Sequence, residues 1–183
     1  MDEKKIIVKA SQDSDLDDVL QVESFAFGND KEADVVRNLL KDDTASPCIS
    51  LLAFDDDKAV GHILMTTARL DDADMPVSVM LLGPLAVIPE AQNQGVGIAL
   101  SNAALDEAKS QDVDLVFVLG HPDYYPRFGF VPAGQYGFDA PYPIPPQNAP
   151  AWMIKELREG LIGKVRGTVK CAKSFDSPEF WRE

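Results

Sequence analysis

The residues Gln92-Asn93-Gln94-Gly95-Val96-Gly97 carry the plainest chemistry in this chain. They separate an apolar run, Val77 to Ile88, from a segment in which Ile98, Leu100, Ala104, Leu105 and Ala108 recur near one face at helical spacing. A glycine turn that opens a helix leaves the first-turn N–H groups without intrahelical partners, and these donors, with the helix dipole, receive an anion. Glycine at 95 and 97 lets a phosphate approach the backbone closely. Two better-known phosphate turns do not fit. Position 100 is Leu, and Asp112 and Asp114 precede or begin a strand instead of ending one, so the dinucleotide fingerprint fails. The Gly-Lys-Ser/Thr of a nucleotide P-loop is absent.

The strand before the turn must be irregular. Gly83-Pro84 interrupts it, and Pro84 has no N–H for a sheet ladder, which predicts a bulge that turns backbone donors out of the sheet. The run Val113 to Leu119, bounded by Asp112 and Gly120, reads as a fully buried strand. The helix between them makes a crossover, so the two strands are expected to be parallel neighbours. A bulge at Gly83-Pro84 prises their ends apart, and the slot so formed, lined by unpaired N–H groups, suits an extended amide-bearing ligand that mimics a strand.

Ahead of that slot, Ile6-Ile7-Val8 reads as a first strand. Ser14, with Asp17 three residues on, reads as the N-cap of a helix with Leu16, Val19, Leu20, Glu23 and Phe27 on its inner side. Glu23 is the odd member: either a solvated edge residue or a base facing an acceptor cleft. Gly28-Asn29-Asp30 ends that helix, and Glu32 to Lys41 forms a second with Val35, Val36, Leu39 and Leu40 inward. Cys48 to Phe54 and Ala59 to Leu70 form an antiparallel hairpin about Asp55-Asp56-Asp57-Lys58. His62, early in its second strand, is either a packed, hydrogen-bonded histidine or a catalytic one. Val131 to Pro150 holds six prolines and the aromatics Tyr136, Phe138 and Tyr142, so it reads as an ordered surface loop or acceptor-side lid. Trp152 to Leu157 and Val165 to Ala172 read as closing strands, and Ser177 to Glu183 as a short helix.

A chain of 183 residues with 45% apolar content is one domain, with a core to about residue 132 and a proline-rich loop and closing strands from 133 to 183. Cys48 and Cys171 lack metal-ligand spacing, and without a signal peptide or long apolar span they read as reduced thiols in the cytoplasm. The net charge of −13 argues against nucleic acid or an anionic membrane as partner. The acid is uneven: residues 1–150 hold 10 basic and 25 acidic side chains, whereas 151–183 hold 7 and 5. A polyanion must therefore be held by local backbone donors, while the same field favours a cationic acceptor.

Val87, Pro89, Gln92, Gly95 and Gly97 spell V-x-P-x-x-Q-x-x-G-x-G, which resembles the coenzyme A loop of the GNAT superfamily of N-acetyltransferases. The order of elements from residue 6 to about 132 resembles that family too, and the remainder resembles the end of a small bacterial branch of predicted acetyltransferases. The fold so implied is α/β: a mixed, mostly antiparallel central sheet with a splayed parallel pair, flanked by helices. The implied cosubstrate is acetyl-CoA, with no metal. Backbone N–H groups of Leu85, Ala86 and Val87 would polarise the thioester and align the pantetheine arm, and Gln92, Asn93, Gln94, Gly95, Val96, Gly97 and Ile98 would hold the pyrophosphate. Gln92 either contacts the phosphate or stabilises the turn. Tyr125, four residues before Gly129, stands where family members with a tyrosine acid place it, and a phenol of pKa about 10 remains protonated at neutral pH; it is either that acid or a ring packed over the cofactor sulfur. The departure is at Gly120-His121-Pro122-Asp123, too short before Pro126 for the longer helix that many relatives carry.

Acetyl transfer to an amine also needs a base. No carboxylate lies between Val79 and Ile88, where some relatives carry Glu, so water, Glu23 or His62 must serve, or the amine arrives neutral. The expected reaction is direct attack by a primary amine of a small molecule or peptide on acetyl-CoA in a ternary complex. The alternatives are a non-catalytic acyl-CoA sensor or docking module, or an acyltransferase with another acyl group or an oxygen acceptor. The resemblance also allows a homodimer through the closing strands.

Overall fold

Residues 5–182 are described by a computed structural model. Among these residues, nine strands and three α-helices follow one another as β1 (Ile6–Ala10), α1 (Leu16–Phe27), α2 (Lys31–Lys41), β2 (Ile49–Asp55), β3 (Lys58–Asp71), β4 (Val79–Val87), α3 (Val96–Ser110), β5 (Leu115–Leu119), β6 (Val131–Pro132), β7 (Phe138–Asp139), β8 (Trp152–Glu156) and β9 (Gly167–Lys170). The main sheet runs β1-β2-β3-β4-β5-β8-β6. Within it only β4 and β5 are parallel, as a helical crossover demands; β9 pairs with the far end of the long strand β3, and β7 pairs in parallel with β9. No helix among the described residues is long and apolar enough to cross a membrane.

Period-2 alternation along β2 and β3 sorts the core into two layers. Leu51, Ile63 and Met65 join the cluster that holds Leu100 and Ala104 of α3, whereas Leu52 and Leu64 join Val19, Val36 and Leu39 of α1 and α2. A third cluster under the closing strands is aromatic: Phe117 stacks on Trp152 at 5.2 Å and meets Phe138 edge-on at 5.4 Å. The Trp152 indole N–H is spent on the Phe138 carbonyl at 3.0 Å, so burying that side chain leaves no polar atom unpaired.

Four local expectations are corrected. The first helix is not capped by Ser14, which lies in a 3-10 turn (Asp13–Asp15); the Asp15 carboxylate instead accepts from the Gln12 N–H at 2.8 Å. Phe27 and Leu40 are exposed, because each lies at the last turn of its helix, beyond the packed stripe. Ile98 is exposed as well; the inner face of α3 begins with Val96 and continues through Leu100 and Ser101. The tail forms a 3-10 turn at Pro178–Trp181, and Glu183 lies outside the described residues.

The bulge expected at Gly83-Pro84 is present. Ile63 pairs with Leu85 and Met65 with Leu82, so β4 carries one more residue than β3 across this step. On its other edge β4 stays with β5 only from Val79 to Leu82, opposite Leu115 to Val118. Beyond that the two strands part.

Candidate active site

Backbone polarity in the parted segment follows from the ladder. Ile88 donates to the Val60 carbonyl at 3.0 Å, so by alternation the Val87 and Leu85 N–H groups point away from β3, toward the edge that β5 has left. Ala86, between them, faces β3 and is paired with His62. The Val87 carbonyl on the open edge accepts from the Gln92 side-chain amide at 3.0 Å. Gln92 thus ties the turn to the strand. The Gln94 amide braces the turn within itself, donating to the Glu90 carbonyl at 2.9 Å.

The turn itself has the backbone its glycine requires: Gly95 has φ 84° and caps α3, with Asn93 also left-handed at φ 60°. Ala99 makes the first α-helical bond, to the Gly95 carbonyl, so the Val96, Gly97 and Ile98 N–H groups precede the intrahelical ladder and remain available. Gly97 leaves room for the Tyr124 hydroxyl. A Cβ there would lie 2.7 Å from the Tyr124 hydroxyl and 3.8 Å from a Val87 methyl.

Tyr124 and Tyr125 diverge. Tyr124 reaches the mouth of α3, its ring under the Arg127 guanidinium at 4.5 Å, while the Arg127 Nε donates to the Tyr124 carbonyl at 2.9 Å. Tyr125 begins the 3-10 turn Tyr125–Phe128 and turns inward, 5.7 Å edge-on from Phe130 and against Gly120, where any side chain would overlap its ring. The turn is fixed from β8 by Lys155, whose Nζ donates to the Phe128 carbonyl at 2.7 Å. Burial, with Tyr124 adding to it, pushes the Tyr125 phenol above its ordinary value, so it stays a proton donor well past neutral pH.

A cavity of about 630 Å³ joins Tyr125 to the parted strands. Leu82 to Leu85 and Val118 to Pro122 form its floor, and the start of α2, Asn148, and the tail from Phe175 to Trp181 form its walls. Of the proline-rich segment, Asn148 lines it, with Ala151 just beyond; the tail supplies most of what that segment was expected to supply as a lid. A larger cavity of about 750 Å³ lies by the end of β1, lined by Ser11, Arg37 and Ser50 among others. It holds neither tyrosine nor the glycine turn, so size is a poor guide here and chemistry selects the smaller one.

Glu23 and His62 are brought together but not to that cavity. His62 Nδ1 is 2.6 Å from Glu23 Oε1, and Nε2 is 2.8 Å from Ser50 Oγ, which in turn accepts from Ser11 Oγ at 2.6 Å. Both Glu23 and His62 are fully buried, and neither lines the space beside Tyr125. Burial raises the Glu23 carboxyl above its ordinary value; the hydrogen bond and charge of His62 oppose that, and Glu32 adds to it. His62→Ala would strand the Glu23 carboxyl among apolar atoms. The expected cost is about 3–5 kcal/mol, read as a lower urea midpoint at unchanged slope; a loss under about 1 kcal/mol would show that the pair is not held as a unit.

Two contributors escaped the sequence pattern. Glu32 reads as an acid in the first turn of a helix, which the dipole alone explains, yet it lines the cavity. The tail's Phe175, Phe180 and Trp181 do the same; three aromatics within seven residues at the chain's end were the available signal.

Residues 8–133 match the acetyltransferase (GNAT) domain family. The uncharacterised N-acetyltransferase YjhQ of Escherichia coli K12 is 46% identical over 161 residues, spanning 87% of this chain and 88% of YjhQ. The crystal structure of the GNAT family protein YhbS from E. coli, in complex with CoA, superposes with a TM-score of 0.84 at 22% identity, covering 94% of this chain and 93% of that one. A GNAT family acetyltransferase from Brucella melitensis, solved in complex with acetyl-CoA, gives 0.73 at 23% identity, covering 94% and 99%.

Proposed function

The chain belongs to the GNAT family of acetyltransferases, and from that premise we propose that it moves an acetyl group from acetyl-CoA to a primary amine by direct attack in a ternary complex. The observation that carries this reading is the parting of β4 and β5 beyond Leu82 and Val118, with Tyr125 lining the opening. The outward N–H groups of Leu85 and Val87 suit the amides of a pantetheine arm and the polarised thioester carbonyl. The free N–H groups of Val96, Gly97 and Ile98 suit the pyrophosphate, with Gln92, Asn93, Gln94 and Gly95 shaping the turn. The two relatives solved with CoA and acetyl-CoA support the choice of cosubstrate.

In this reading, the acceptor arrives as an ammonium, its nitrogen attacks the thioester carbon once one proton has left, the C–S bond breaks, and the nitrogen gives up two protons in all. One reaches the departing sulfur, donated by Tyr125, which regains a proton from the nitrogen; the other leaves to solvent. Glu23 and His62, a buried pair where α1 packs on β3, support the site without touching substrate. The free thiols of Cys48 and Cys171 agree with a cytoplasmic setting.

The test is amine-dependent thiol release from acetyl-CoA, with the N-acetyl product identified by mass. Tight acetyl-CoA binding without amide formation from any amine would favour the sensor or docking module instead.

A further inference from the structure

The cavity beside Tyr125 has one aromatic wall. Phe27 closes it from the end of α1, and Phe175, Phe180 and Trp181 close it from the tail. That wall is built. The Ser174 N–H donates to Asp42 at 2.9 Å and the Lys173 N–H to Thr44 at 2.9 Å, fastening the tail to the turn after α2. The Trp181 indole N–H donates to the Phe175 carbonyl at 3.1 Å, and Phe175 meets Phe180 edge-on at 5.7 Å. Such a wall gains by covering apolar surface and, through the ring faces, attracts a cation.

Glu32, at the second position of α2, lines the same cavity. Its Oε2 is shielded from solvent and has no hydrogen-bond partner among the described residues, and the same holds for Oε2 of Glu23. An unpaired carboxylate oxygen is unfavourable, and an ammonium group entering the cavity, met by a turn of the Glu32 side chain, relieves it. The other charged side chains lining the cavity, Lys31 and Glu179, are exposed.

Resting on the reading of an amine acetyltransferase, we infer that the acceptor is a primary amine on an apolar body of about aromatic-ring size, its ammonium held by Glu32 and its body laid against the tail's rings. Lengthening or charging that body loses the wall; removing the ammonium loses Glu32.

Thiol release from acetyl-CoA is measured with 2-phenylethylamine and with spermidine, on wild type, Glu32→Gln, Glu32→Asp and Phe180→Ala, with acetyl-CoA affinity measured by calorimetry on each. The expected kcat/KM for 2-phenylethylamine exceeds that for spermidine by about 10-fold or more, as burial of an aromatic body implies. Glu32→Gln should raise KM for 2-phenylethylamine by about 10- to 100-fold, the scale of one charge-assisted bond, with acetyl-CoA affinity unchanged. Glu32→Asp should recover part of that loss, and Phe180→Ala should raise KM for 2-phenylethylamine with acetyl-CoA affinity again unchanged. Preference for spermidine, or an unchanged KM in Glu32→Gln, overturns the inference. Acetyl-CoA binding with no amine acetylated overturns it together with the amine acceptor. Failure of wild type to bind acetyl-CoA strikes the acetyltransferase reading itself.

Discussion

Tyr125→Phe is expected to lower kcat by about 10²- to 10⁴-fold, the usual worth of a general acid, with acetyl-CoA affinity nearly unchanged. The phenylalanine ring fills the same place against Gly120 and Phe130, so what is removed is the proton donor alone. Burial holds the wild-type phenol protonated beyond neutrality, so its loss should be equally severe from mildly acidic to mildly alkaline pH. Tyr124→Phe is the control, because that hydroxyl reaches Gly97 at the mouth of α3 and not the floor of the cavity. A Tyr125→Phe protein with wild-type kcat, measured where chemistry limits the rate, would assign Tyr125 to packing and leave the thiolate to depart unaided.

Gly97→Val should weaken coenzyme A binding by about 100-fold or more, equivalent to losing one or two charge-assisted bonds of about 1.5–3 kcal/mol each. The physical cause is local. The added Cβ would lie 2.7 Å from the Tyr124 hydroxyl and displace it, and a branched side chain beside the first turn is expected to crowd the phosphate approach. The helix itself should survive, since Val is less costly than Gly in a helix interior. Calorimetry with phosphate-free pantetheine separates the causes: its affinity should change far less than that of coenzyme A. Equal losses for both ligands would mean that the substitution disturbs the slot and not the phosphate turn; unchanged coenzyme A affinity would remove the turn from the site.

Backbone devices proved the most legible part of this chain. Pro84 cannot donate to a ladder, and Gly95 readily adopts a left-handed turn, so the bulge and the helix mouth could be placed from residue type alone. The parallel pair followed from a crossover helix between two apolar runs. Contacts between distant segments were not legible. Nothing local pairs Glu23 with His62, 39 residues apart; only the packing of α1 across β3 brings them together. The tail reads locally as no more than a short terminal element, because its role depends on Asp42 and Thr44, some 130 residues earlier, which draw it over the cavity. Glu32 was silent for a different reason: an acid at a helix start has a sufficient local explanation, so its place in the wall left no trace in the pattern.

A crystal structure of the acetyl-CoA complex of the wild-type protein bears most directly on how cosubstrate and acid meet. The pyrophosphate should lie on the N–H groups of Val96, Gly97 and Ile98, the pantetheine arm should run between β4 and β5 past Leu85 and Val87, and the thioester sulfur should come within about 3–3.5 Å of the Tyr125 hydroxyl, the range for a reacting pair. Acetyl-CoA bound in the cavity near Ser11 and Ser50, or threaded between the strands with its sulfur beyond reach of Tyr125, would contradict it.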